Sequence, residues 1–94
     1  MPDRPSDLKS TPLVFGFTDY RDYLNRWMVE RQQQVPGYTI ARFARMAGCS
    51  PSHVRNVLTG DRDLNPPYVD GFIRALRLAR EDAEFFTLLV RYSQ

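Results

Sequence analysis

The sequence predicts an all-α fold of five helices preceded by a flexible N-terminal tail. Apolar residues recur at spacings of three and four in five stretches, and each stretch is bracketed by residues that start or stop helices. No segment alternates apolar and polar residues over five or more positions, as a half-buried strand would. The 94 residues, 43% hydrophobic and 26% charged, suit one soluble domain with a single core. Six Phe, five Tyr and one Trp supply the large apolar faces such a core needs without disulfides or metal.

Residues 1–16 carry Pro2, Pro5 and Pro12 among Asp, Ser, Lys and Thr, and no periodic apolar face follows from them. They are read as the flexible tail, and residues 17–94 as the domain. The first helix is capped by Thr18 or Asp19, shows Tyr20, Tyr23, Leu24, Trp27 and Met28 as its inner stripe, and ends before Pro36-Gly37. Thr39 caps the second, whose Ile40, Phe43, Ala44 and Ala47 fall on one face and which stops at Gly48. Ser50 and Pro51 are the N-cap and first residue of the third, with Val54, Val57 and Leu58 inward and Thr59-Gly60 closing it. Asn65 caps a fourth entered through Pro66, with Val69, Phe72, Ile73 and Leu76 buried. The fifth opens on Glu81, Asp82 and Glu84, the sign its dipole favours. Phe85, Leu88, Leu89 and Tyr92 are expected to pack inward, leaving Phe86 and Val90 as a second apolar strip that another surface would cover.

Several functions are excluded or made unattractive by composition. With one cysteine, Cys49, and one histidine, His53, no disulfide and no Cys/His zinc site can be assembled in one copy, so neither cofactor nor metal is expected. No apolar run approaches the roughly 20 residues of a membrane span, and Leu13-Val14-Phe15 is too short for a signal peptide; a cytoplasmic location with no membrane partner is expected. No nucleophile beside a base, carboxylate pair or phosphate-cradling glycine loop speaks for an enzyme.

Net charge is only +2, but it is unevenly distributed. Residues 1–36 hold five basic and five acidic groups, residues 61–94 hold five Arg and six acids, and residues 37–60 hold Arg42, Arg45 and Arg55 with no acid at all. The whole excess therefore sits on the second and third helices and the turn between them, where acids would repel phosphate.

That segment has the layout of a helix-turn-helix: two short helices, a turn of about three residues, the first ending at Gly and the second opening at Ser-Pro. Ala44 is small where two helices would cross, Gly48 lets the backbone turn back, and Val54 and Val57 are branched where the second helix packs on the first. In these residues the chain resembles the lambda-repressor-like family of helix-turn-helix domains, of the Cro and C1 type, over roughly residues 19–91. More narrowly, DYRDYL (19–24), FARMAGCSPSHVRNVLTGDRDL (43–64) and EDAEFFTLLVRYSQ (81–94) look like the N-terminal part of a bacterial paralogous family of uncharacterised regulators that carry a further C-terminal domain of unknown function. The resemblance implies sequence-specific binding of double-stranded DNA in transcriptional regulation. One departure is Ile40, standing where the lambda-like family often has a phosphate-touching Gln.

The third helix, about Pro51–Thr59, would then be the recognition helix. Pro51, Ser52, Arg55 and Asn56 are the expected base contacts: Arg can grip O6 and N7 of guanine, and Asn N6 and N7 of adenine. Thr39, Arg42, Ser50, His53 and Thr59 are the expected phosphate contacts, Ser50 and Ser52 lying where a helix N-terminus attracts anions. One such helix reads few bases, so a homodimer, or contact with a C-terminal domain, is expected through Phe86 and Val90. The competing reading is a protein-interaction or oligomerisation module that keeps the helical fold without touching DNA.

Overall fold

The computed structural model describes residues 14–93. It is all-helical: a 3-10 turn at Val14–Gly16 precedes α1 (Tyr20–Gln34), α2 (Ile40–Ala47), α3 (Pro51–Thr59), α4 (Pro66–Leu76) and α5 (Arg80–Ser93), with no strand among the described residues. Residues 1–13 of the expected tail lie outside the described part.

Most helix ends follow from single side chains. Asp19 caps α1, its carboxylate accepting from the Arg21 and Asp22 amides at 2.7 and 3.3 Å. Thr39 caps α2 by accepting from Arg42 N–H at 3.2 Å, and Ser50 caps α3 by accepting from His53 N–H at 3.1 Å. Gly48 and Gly60 end α2 and α3 in the left-handed region, with φ of 77° and 96°. Asn65 stands at the N-cap of α4, yet its side chain makes no capping bond; Pro66 and Pro67 bring no N–H there, which leaves fewer amides to satisfy. The end of α4 is unusual: Arg77, not glycine, takes the left-handed conformation at φ 59°, a geometry that costs a residue with a Cβ about 1 kcal/mol or more.

The core is built on aromatic contacts that link elements distant in sequence. Trp27 of α1 meets Phe43 of α2 edge-on at 5.5 Å, and Phe43 meets Phe72 of α4 at 5.2 Å. Phe17 and Phe86 flank Tyr23 at 5.4 and 5.9 Å. Ala44, Ala47, Val54 and Val57 are buried where α2 and α3 cross, as the spacing predicts, and Ile73 is half-buried against the same core. Gly71 is the closest approach of α4 to α2: a Cβ there would run into the backbone of Ala47, meeting the carbonyl oxygen and reaching its carbon at 3.1 Å.

Two expectations are overturned. Val14 is only 2% exposed and sits in the core, while Phe15 lays its ring on Phe85 at 4.6 Å, so these two residues, expected in the tail, pack on the helical domain. The face assignment of α5 is also overturned in part: Leu89 packs inward as expected, but the rest of the pattern shifts. Phe86 is fully buried and Val90 nearly so, beside Leu89, whereas Leu88 and Tyr92 are exposed and Phe85 is half-buried. Phe86 and Val90 therefore belong to the core of this chain and present no interface. The reason is packing against the N-terminal segment: Tyr23 of α1 claims Phe86, and the turn at Val14–Gly16 lies on α5.

Candidate functional site

The helix pair α2–α3, joined by Gly48, Cys49 and Ser50, is held from both sides by other elements. On one side α1 fixes the C-terminal end of α3. The last carbonyls of a helix have no partner within it, and Arg21 Nε donates to Val57 O at 2.7 Å while Asn25 Nδ2 donates to Leu58 O at 3.0 Å. The same guanidinium also donates to Arg62 O at 3.0 Å and to the Tyr20 hydroxyl at 3.1 Å, and that hydroxyl accepts from Leu64 N–H. A cation at a helix C-terminus meets the favourable end of the dipole, so Arg21 both anchors and electrostatically supports α3. Its 3.5 Å contact with the exposed Asp63 adds little.

From the other side, α4 contributes Arg74, whose Nε donates to Met46 O at 3.1 Å near the end of α2. Its guanidinium lies 3.6 Å from where a Cβ on Gly48 would sit, which brings a cation to the turn itself.

Within this frame, Pro51, Ser52, Arg55 and Thr59 of α3 are exposed and His53 and Asn56 are half-buried. Ser50, Ser52, His53 and Asn56 line one concave polar surface of about 390 Å³ together with Arg62 and Tyr68. The His53 ring lies against Tyr68 at 4.3 Å, and its Nε2 is buried without a hydrogen-bond partner. Pro51 has no N–H and that of His53 is held by Ser50, so Ser52 N–H is the first-turn amide left for an external anion. Arg55 is exposed outside this concavity, and Asn56 lies within it.

Two of the expected phosphate contacts are placed differently. The single Thr59 hydroxyl proton is shared between Asn56 O at 3.2 Å and Asp61 Oδ2 at 3.1 Å, and a hydroxyl held beside a carboxylate is a poor phosphate ligand. Arg42 does not line the concavity of α3; its guanidinium lies over the Tyr38 ring at 5.5 Å, in a second pocket with Arg31 and Arg77. Thr39 stands at the start of α2, its hydroxyl occupied as an acceptor by the cap. Cys49 is half-buried in the turn, and burial pushes its thiol pKa up, which disfavours the reactive thiolate.

Five contributors escaped the sequence reading: Arg21, Asn25, Arg62, Tyr68 and Arg74. Only Arg62 carried a usable signal, being a cation two residues beyond the Thr59-Gly60 stop. Among the described residues no three His, Cys, Asp or Glu side chains gather as metal ligands would, and no helix is long and apolar enough to cross a membrane. Comparison with protein-family models, with curated proteins and with solved structures finds no match to this chain.

Proposed function

We propose that the chain is a sequence-specific double-stranded DNA-binding domain acting in transcriptional regulation, with α3 entering the major groove. The observation that carries this reading is the polar edge of α3, exposed Ser52 and Arg55 with half-buried Asn56, on a helix pair whose residues 37–60 contain three Arg and no acid. Arg55 reads guanine and Asn56 adenine, each bidentate contact being worth about 1–3 kcal/mol of discrimination. The Ser52 amide and hydroxyl, Arg62 and Arg74 hold backbone phosphates around the turn.

A salt titration tests this against the protein-interaction alternative. With Arg62 and Arg74 each neutralising a phosphate, the logarithm of the affinity for mixed-sequence duplex should fall with the logarithm of salt concentration at a slope of about −2 per copy. Arg62→Ala should flatten that slope by about 1 and weaken all sequences alike. Absence of duplex binding at low salt would favour the interaction module instead. If two copies bind together, their sites should lie one helical turn apart, about 34 Å, with Leu88, Tyr92 or another exposed surface joining the copies.

A further inference from the structure

The second pocket holds an arrangement of charge that the DNA reading does not use. It lies between the C-terminal end of α1, the first turn of α2 and the end of α4, has a volume of about 100 Å³, and is lined by Arg31, Tyr38, Arg42, Met46, Ala75 and Arg77, with no carboxylate on its walls. The Arg31 and Arg42 guanidiniums lie 5.7 and 5.5 Å from the centre of the Tyr38 ring, and Arg31 lies 5.5 Å from that of Trp27. Stacking on a ring face occupies the plane of a guanidinium and leaves its N–H edge free. Arg31 Nε is buried and has no hydrogen-bond partner, and among the described residues none of the three cations is in an ion pair.

We propose that Arg31, Arg42 and Arg77 bind a terminal phosphate group, of inorganic phosphate or of a small phosphate monoester, in this pocket. Arg77 is the most unusual of the three. It is the one residue other than glycine with positive φ among those described, at a helix end where glycine is the unstrained choice, and its side chain lines the pocket. Burial raises the pKa of the Tyr38 phenol while Arg31, Arg42 and Arg77 each oppose the rise, so all three are close enough to act on one oxygen.

The chemistry selects the ligand. Three guanidiniums present more donors than the two oxygens of a carboxylate can accept, whereas a terminal phosphate offers three oxygens and up to two negative charges. A phosphodiester of a DNA backbone has one charge and two free oxygens, and fits less well. The site rests on its own geometry and does not depend on the function proposed for α3.

The test uses the whole 94-residue protein and its single tryptophan, Trp27, on which Arg31 lies. Inorganic phosphate is titrated at pH 8 and constant ionic strength, with chloride as the control and dimethyl phosphate as the diester. The expected result is a saturable change in Trp27 emission with phosphate, absent with chloride and at least tenfold weaker with dimethyl phosphate. Arg77→Gly removes one cation and relieves the backbone, so it should weaken phosphate binding at least tenfold without lowering the melting temperature. Arg42→Gln, at an exposed position of α2, should weaken it similarly. No saturable response, an affinity unchanged in both variants, or equal binding of the diester would overturn the proposal; the last would assign the pocket to a nucleic-acid backbone.

Discussion

Gly71→Ala should lower the melting temperature by about 10–20 °C, corresponding to a loss of roughly 2–4 kcal/mol in a domain of this size. The sign is informative because helix propensity argues the other way. Gly71 lies inside α4, and an alanine in a helix interior is ordinarily worth up to about 1 kcal/mol over glycine. Here the added methyl would meet the Ala47 carbonyl, which is backbone and cannot rotate aside, so α4 must move away from α2 or the helices must bend. That displacement would loosen Phe72 against Phe43 and pull Arg74 from Met46 O, disturbing the turn before α3 as well. Gly16 provides the control: a Cβ there meets nothing within 4 Å and its φ is not positive, so Gly16→Ala should be close to neutral. Thermal melts of the two variants side by side decide the matter, and a Gly71→Ala protein as stable as the parent would mean that α2 and α4 are not in this contact.

Phe86→Ala should cost about 3–5 kcal/mol, a large part of the 5–15 kcal/mol by which domains of this kind are stable. Phe86 is wholly buried beside Tyr23, and its removal leaves a cavity between α1 and α5. A charge at this position, as in Phe86→Glu, should leave little folded protein because the carboxylate would be fully buried. Tyr92, which is 82% exposed, should tolerate alanine within about 0.5 kcal/mol. Denaturant unfolding measures all three. If Phe86→Ala kept full stability and instead dissociated an oligomer, the inner and outer faces of α5 would have to be exchanged.

The difference between α5 and the other helices shows what was legible in the sequence. The limits of α1, α2 and α3 could be read because Asp19, Thr39, Ser50, Gly48 and Gly60 act locally: a side chain bonds an amide two or three residues on, or a glycine turns the chain where it stands. The inner faces of α1 to α3 could be read because only one side of each is apolar. On α5, Phe85, Phe86, Leu88, Leu89, Val90 and Tyr92 run round most of the circumference, so periodicity cannot choose a face. The choice is made by Tyr23 and by the turn at Val14–Gly16, more than 60 residues away. The docking of Val14 escaped the sequence for a related reason: three prolines dominate the composition of residues 1–16, and one docked valine leaves no periodic trace.

The candidate site divides in the same way. Ser52, Arg55 and Asn56 could be picked out because they are the polar remainder of a helix whose valines face inward. Arg21 and Asn25 look like solvated residues of an amphipathic helix, and only the tertiary fold brings them to carbonyls 36 and 33 residues distant. Arg77 is the least legible of all, since a left-handed arginine at a helix end has no sequence signature and the two cations it joins come from other helices.

Selection of bound duplexes from a random-sequence pool, run in parallel on the parent protein and Arg55→Ala, tests most directly whether α3 reads DNA. The parent should enrich a defined site, and Arg55→Ala should lose preference at the guanine it reads while keeping it at the other positions, at a cost of about 1–3 kcal/mol on the best sequence. No enriched site with the parent, or an identical site and affinity with Arg55→Ala, would contradict the assignment of α3 as the recognition helix.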